Sequence, residues 1–210
     1  MLTLSFHNGN LLPQLVEHQK MVFDFFNWDL KQIETKDSHF DALDKAIQSF
    51  CWNAKNEDVI CFFDIDCIPL KNFQDVIETA AKSGRIIADV QRSSHIKGSK
   101  DFAAPSFFAI SKETYLKIGM PSFAPNVNSD VGENLTRIAK ENGIVIDLLY
   151  PIKSEKELWS LDNGQMYGYG TTFGKFGQEF TYHAFESNAK HESSSNFVNK
   201  CKSVLDAVKH

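Results

Sequence analysis

Cysteine is scarce in this chain and is never paired at a metal-ligand spacing. Cys51, Cys61, Cys67 and Cys201 stand apart in mostly apolar surroundings. That excludes a disulfide framework or a zinc cluster and leaves free, buried thiols. Six prolines and 11 glycines are too few for a collagen-like or low-complexity chain. No apolar run approaches the roughly 18 residues needed to cross a bilayer, and the amino terminus lacks the basic-then-apolar pattern of a secretion signal. The expectation is a cytoplasmic protein without a transmembrane segment. Cations are also short: 22 Lys and Arg against 27 Asp and Glu give a formal charge of −5. Phosphate backbones are held by clustered Lys and Arg, so nucleic acid is not an expected partner. An anionic substrate would need a metal ion or locally placed cations to overcome this repulsion.

The chain does have apolar mass. With 42% hydrophobic residues and 18 Phe among 210 positions, it can bury the core of one sizeable domain spanning 1–210. The most informative stretch runs from Val59 to Leu70, where the apolar segment Val59-Ile60-Cys61-Phe62-Phe63 ends in Asp64-Ile65-Asp66 and is stopped by Pro69. Fifteen aspartates over 210 positions give about one such Asp-x-Asp pair by chance, so the setting carries the weight. The run reads as a strand buried on both faces, whose carboxyl end opens into a ligand crevice. Asp64 and Asp66, two residues apart, project to one side there. Oxygen ligands so placed suit Mn²⁺ or Mg²⁺.

Around that strand, helix and strand patterns alternate. Leu2 to Phe6 reads as a first strand, followed by the turn His7-Asn8-Gly9-Asn10 and a helix from about Leu11 to Phe26. A short strand is expected over Asp29 to Ile33. Asp37-Ser38 caps a helix that runs to Phe50. Phe73 to Ser83 reads as a helix closed by Gly84, and Arg85 to Val90 as the next strand. Gln91 to Lys100 is a polar loop, and Ala103 to Ser111 is apolar again. Short helical patterns follow over Glu113 to Ile118 and Asp130 to Asn142, and a late strand over Ile144 to Leu149. The segment Tyr167-Gly168-Tyr169-Gly170-Thr171-Thr172-Phe173-Gly174 is too glycine-rich for either regular element. Ser195 to Lys209 is an amphipathic helix with Val208 among its apolar residues, expected to dock on its own domain. The alternation predicts an α/β fold, a Rossmann-like, mixed but mostly parallel central sheet flanked by helices.

Taken in order, these features resemble the nucleotide-sugar-dependent glycosyltransferases of the GT-A fold. The matching pieces are Leu2 to Asn10, Phe63-Asp64-Ile65-Asp66-Cys67-Ile68-Pro69-Leu70, Ala104-Pro105-Ser106-Phe107-Phe108-Ala109-Ile110, Ser129-Asp130-Val131-Gly132-Glu133 and Tyr182-His183-Ala184-Phe185-Glu186-Ser187. The resemblance implies a transferase moving a sugar from a nucleotide diphosphate, a uridine one expected, to an unknown glycan, lipid or protein acceptor. It implies Asp66 as a direct ligand of Mn²⁺ or Mg²⁺, with Asp64 nearer the ribose or a metal-bound water. It implies His183 completing the metal shell, with His191 in reserve. His183 reads equally as a histidine satisfied in an aromatic cluster with Phe180, Tyr182 and Phe185. Asp130 matches the position of an acceptor-side general base, yet with Glu133 three residues on it also forms a capping pair. By resemblance Ser106, Phe107 and Phe108 line the sugar site, although an ordinary buried strand explains the two rings as well. His7, Asn8 and Gly9 would meet the base and ribose. Arg92, His95, Lys97 and Lys100 would sit on a loop able to close over phosphates.

Two other readings stay open. A haloacid-dehalogenase-like phosphatase also places an Asp-x-Asp after an apolar strand, but Ile68 occupies its usual Thr or Val position. A non-catalytic nucleotide-sugar or glycan binding module would keep the fold without turnover.

Overall fold

In the computed structural model, residues 1–9, 12–187 and 191–207 are described. Asn10, Leu11, Val208, Lys209 and the side chain of His191 lie outside the described residues. The elements in chain order are β1 (Leu2–His7), α1 (Pro13–Phe25), β2 (Leu30–Glu34), α2 (His39–Asn53), β3 (Val59–Asp64), β4 (Cys67–Pro69) and α3 (Gln74–Lys82). They continue with β5 (Ile86–Gln91), β6 (Phe102–Ser111), α4 (Lys112–Lys117), α5 (Glu133–Glu141), β7 (Ile146–Ser160), β8 (Met166–Lys175), β9 (Gln178–His183) and α6 (His191–Asp206).

The strands form one mixed sheet in the order β2-β1-β3-β6-β5-β7-β8-β9-β4. β1 pairs in parallel with β2 and β3, and β5 with β7; the other pairings are antiparallel. The parallel character read from the sequence is therefore confined to two places. Elsewhere β6 turns back between β3 and β5, and the long β7 starts a run of hairpins.

Strict alternation along β3 explains why the sequence run is apolar throughout. Val59, Cys61 and Phe63 enter one core; Ile60 and Phe62 enter the other. The first core is covered by α1, α3 and α6, through Leu15, Val22, Phe23, Ile77, Ala81, Phe197 and Cys201. The second is covered by α2, α4 and α5, through Leu43, Ile47, Phe50, Tyr115, Leu135 and Ala139. Helix layers on both faces are what a two-sided apolar strand demands. The many phenylalanines mesh edge to face: Phe63 meets Phe23 with ring centroids 4.9 Å apart and Trp28 at 5.4 Å. Each buried ring contributes roughly 1.5–3 kcal/mol, with the edge contacts adding to that. All four cysteines are free and buried, as their apolar contexts indicated. Among the described residues no helix is long and apolar enough to cross a membrane.

One reading from the sequence is overturned. The glycine-rich stretch around Tyr167 to Gly174 is not irregular but most of β8, paired with β7 and β9. A Cβ on Gly168 would collide with the carbonyl oxygen of Lys156 in β7, and one on Gly174 with that of Gln178 in β9. The register shifts next to these glycines, between Glu157 and Trp159 and between Phe173 and Gly174. Glycine marks bulged strands in which the partner backbone comes too close for a side chain.

Candidate metal site

β3 delivers Asp64 to the sheet edge, and only Ile65 and Asp66 separate it from β4. β4 pairs with β9 so that Cys67 stands opposite His183, which brings His183 beside Asp66 across 117 residues of sequence. The turn is held from below by α1. Its buried Gln19 donates from Nε2 to the carbonyls of Asp64 (2.7 Å) and Cys67 (2.9 Å).

The three side chains converge. His183 Nε2 lies 3.1 Å from Asp66 Oδ1 and 3.7 Å from Asp64 Oδ2, and one ligand atom from each residue fits within 4.8 Å of the others. Asp66 Oδ2 accepts from the Ser187 hydroxyl (2.7 Å) and amide (3.3 Å). Phe185 and Glu186 reach that geometry with φ of 58° and 48°, a left-handed conformation that non-glycine residues adopt at a cost. Asp64 Oδ1 also lies 3.5 Å from His39 Nε2, at the start of α2.

Burial would raise the Asp66 carboxyl, but the charge and hydrogen bond of His183, together with the two bonds from Ser187, outweigh it and leave it at about 2. Burial likewise pushes the His183 imidazole down; the charge and hydrogen bond of Asp66, backed by Asp64 and Asp89, overcome it and hold the ring above its ordinary value. Among the described residues only histidines form ion pairs with these two carboxylates. An octahedral ion with bonds of about 2.1 Å keeps neighbouring ligand atoms about 3.0 Å apart. The Asp66–His183 separation of 3.1 Å matches that spacing and the Asp64–His183 separation of 3.7 Å is wider, so the donor set suits a divalent cation once Asp64 draws in.

The cluster forms one wall of a cleft of about 380 Å³. His7 and Asn8 from the end of β1, Thr35 and Asp37 beyond β2, His39 and Ala42 of α2, Gln91 at the end of β5, and Phe185 to Ser187 complete it. It opens at the carboxyl ends of β1, β3 and β5, where open α/β sheets take up ligands.

The sequence-derived site residues are only partly gathered here. Asp64, Asp66, His183, His7 and Asn8 share the cleft; Gly9 is exposed beside Glu34. His183 also stacks on Phe185 at a centroid distance of 3.8 Å, so the ligand and aromatic-cluster readings describe the same residue. Phe107 is sealed in the first core against Phe63 and Phe73, and Phe108 in the second against Phe123. Neither ring offers a face to the cleft. Ser106 is buried with them, its Oγ without a partner among the described residues. Asp130 does not line the cleft. Its Oδ2 accepts from Ser93 (2.8 Å), its Oδ1 from the Val131 amide, and its own amide donates to Glu133 Oε2. Glu133 thus reaches back to the Asp130 amide as in a capping box, but the Asp130 side chain holds the Val131 amide instead of returning to Glu133, and through Ser93 it ties on the 92–101 loop. That loop is fastened again by Ser99 to Glu133 and by Arg92 Nε to the Ser99 carbonyl. Lys97 and Lys100 line a second groove beside α5 rather than the cleft.

Gln19 and His39 escaped the sequence reading, and Ser187 entered it only as the end of the Tyr182-to-Ser187 piece, without a role. Only Gln19 left a signal: it falls at helical spacing among Leu15, Val22 and Phe23, a polar residue on a core-facing stripe.

No protein-family model matches the chain, and no curated protein matches it. Among solved structures it is similar to A197 from STIV, over 79% of this chain and 93% of that one, at 16% identity and a TM-score of 0.47. It is also similar to a mutant Drosophila beta-1,4-galactosyltransferase 7 in complex with manganese, UDP-Gal and xylobiose, over 70% of this chain and 65% of that one, at 11% identity and a TM-score of 0.42. The glycosyltransferase GlyE of Streptococcus pneumoniae TIGR4 aligns over 70% of this chain and 44% of its own, at 12% identity and a TM-score of 0.41. The match thus spans less than two thirds of the length of either transferase.

Proposed function

We propose that this chain is a divalent-cation-dependent glycosyltransferase that takes its sugar from a nucleotide diphosphate, with uridine the expected base. The observation that carries the reading is the Asp64, Asp66 and His183 cluster on the wall of a cleft at the carboxyl edge of the sheet. Asp66 and His183 would bind the ion directly and Asp64 would complete the set. An imidazole among carboxylates favours Mn²⁺ over the harder Mg²⁺. When bound, the cation supplies Lewis-acid stabilisation for the departing diphosphate.

The chain's own residues do the rest. Ser187 and His183 keep Asp66 ionised despite its burial, so it is ready to bind without a proton to lose. His7 and Asn8, at the end of β1, offer polar edges to base and ribose. Phe185, stacked on His183, keeps water from one side of the ring. Asp130 enters the proposal through the loop it fastens: that loop begins just after Gln91, which lines the cleft. The acceptor, whether glycan, lipid or protein, is left to experiment.

The test is thermal stability with UDP and UDP-sugars, with and without Mn²⁺. A ligand at 100 times its Kd stabilises by about 2.7 kcal/mol, which for a domain near this size raises Tm by about 5–10 °C. Asp66→Ala is expected to abolish the joint effect. An Asp66→Ala protein stabilised as much as the parent would remove the metal-site reading.

A further inference from the structure

The groove beside α5 has a volume of about 590 Å³ and shares no residue with the metal cleft. Its walls are α5, the segment from Lys97 to Phe102, and the tight turn from Asn126 to Ser129, whose two end residues exchange backbone hydrogen bonds of 2.9 and 3.3 Å. Hollows of about 300–1,000 Å³ are the size that takes up small-molecule ligands.

Four exposed cations line the groove, Lys97, Lys100, Arg137 and Lys140, in a chain whose formal charge is −5. Arg137 and Lys140 stand three residues apart on α5 and so share a face. The two acids beside them are occupied within the fold. Glu133 accepts from Ser99 Oγ on one oxygen and from the Asp130 amide on the other, and Asp101 Oδ1 accepts from the Asp162 amide. The cations are held more loosely. Lys97 has no partner among the described residues. Lys100 lies 3.8 Å from Asp162 with its side chain 78% exposed, and Lys140 Nζ reaches the Asp101 carbonyl at 3.3 Å. Arg137 meets Asn134 and Glu141 along the helix surface, and exposed pairs of this kind hold weakly against a competing anion.

Amides and hydroxyls make up much of the remaining lining. Asn126, Asn128 and Asn134 belong to it, and Ser129 is buried beneath with its Oγ unpartnered among the described residues. Side-chain amides both donate and accept, as sugar hydroxyls require, while Lys and Arg suit carboxylate or sulfate. The aromatic ring of this lining, Phe102, is 1% exposed, so nucleic-acid bases find no platform for stacking.

We propose that the groove binds an acidic oligosaccharide, with its carboxylate or sulfate groups held between Lys97 and Lys100 on one wall and Arg137 and Lys140 on the other, and its hydroxyls met by the asparagines. This goes beyond the transferase reading and is independent of it, because the groove and the metal cleft have no residue in common.

Two tetrasaccharides serve as probes, tetragalacturonate and a sulfated galactan tetrasaccharide, titrated calorimetrically into the metal-free full chain with ¹⁵N amide shifts mapping where they sit. At least one should bind and shift amides over 97–102, 126–129 and 133–140; which one does so tells carboxylate from sulfate. Its neutral form, methyl-esterified or desulfated, should bind at least 10-fold more weakly. Lys97→Gln combined with Lys140→Gln removes one charge from each wall and should weaken binding about 10-fold, each exposed charge contributing a factor of about three. Should the double variant fail to fold, Lys97→Gln alone, which breaks no contact of the fold, should still cost about threefold. The proposal is overturned if neither tetrasaccharide binds, if the neutral form binds equally, or if the lysine variants match the parent. Shifts gathered on the metal cleft, or tighter binding of octathymidylate or tetraglutamate than of either sugar, would overturn it as well. None of these results bears on Mn²⁺ or UDP binding, so the two readings fail separately.

Discussion

At the scale of single residues, the site depends on side chains that touch neither ligand nor solvent. Gln19 satisfies two carbonyls of the turn that carries Asp64 and Asp66, at 2.7 and 2.9 Å. Gln19→Ala leaves both acceptors buried and opens a gap under the turn, so the protein should lose about 2–3 kcal/mol by urea unfolding. Its Mn²⁺ affinity should fall as the two acids lose their fixed spacing. Away from the site, Asp147 is bound by Arg85 through two nitrogens at 2.5 and 2.7 Å and by Lys175 at 2.5 Å. The Arg85 hydrogen bond is the main reason its carboxyl lies below the ordinary range; burial opposes this and Lys175 assists. A depressed acid stabilises the fold above its unfolded pKa, near 3.9, and that contribution fades as pH falls through the lower folded value. Because both cations are more than a third exposed, screening keeps the contribution to about 1 kcal/mol. Asp147→Asn should be less stable than the parent by that amount at pH 7, and the two melting curves should converge as pH falls through the depressed folded pKa of Asp147.

At the scale of elements, boundaries that depend on local chemistry were legible. Ser38 caps α2 by accepting from the Asp41 amide, and β3 spans Val59 to Asp64 as the end of the apolar run indicated. Asp64 and Asp66 were legible for the same reason, because an abrupt change from apolar to acidic on a strand is visible in the sequence. What depended on distant backbone was hidden. Nothing in Tyr167 to Gly174 reports that Lys156 and Gln178 press against two of its glycines, so composition alone read a loop where there is a strand. The antiparallel return of β6 and the hairpins from β7 onward are pairing choices of the same kind. Phe107 and Phe108 could not be told from ligand-facing rings until both faces of β6 were seen to be covered. These glycines make a sharp prediction. Gly168→Ala must push β7 and β8 apart and should cost about 1–3 kcal/mol, with a lowered Tm and lost amide protection along that hairpin. Gly164→Ala, in a turn with open space around it but a positive φ, should cost less.

At the scale of the whole molecule, β3 lies near one end of the strand order and β4 at the other, although only Ile65 and Asp66 separate them in the chain. The acidic turn is therefore the seam where the sheet is drawn round upon itself, with β9 and His183 brought to it from the far side. An ion held by Asp64, Asp66 and His183 would act as a clasp on this seam and not merely as a cofactor in a hollow. Hydrogen exchange with and without Mn²⁺ should show slowing not only around residues 64–66 but along β9 and β4, while α4 and α5 on the opposite face stay unchanged. Slowing confined to the turn itself would mean that the seam is already shut before the ion arrives. If the clasp is real, opening the carboxyl-terminal half requires the ion to leave first, and loss of the ion would set the pace at which the folded chain comes apart.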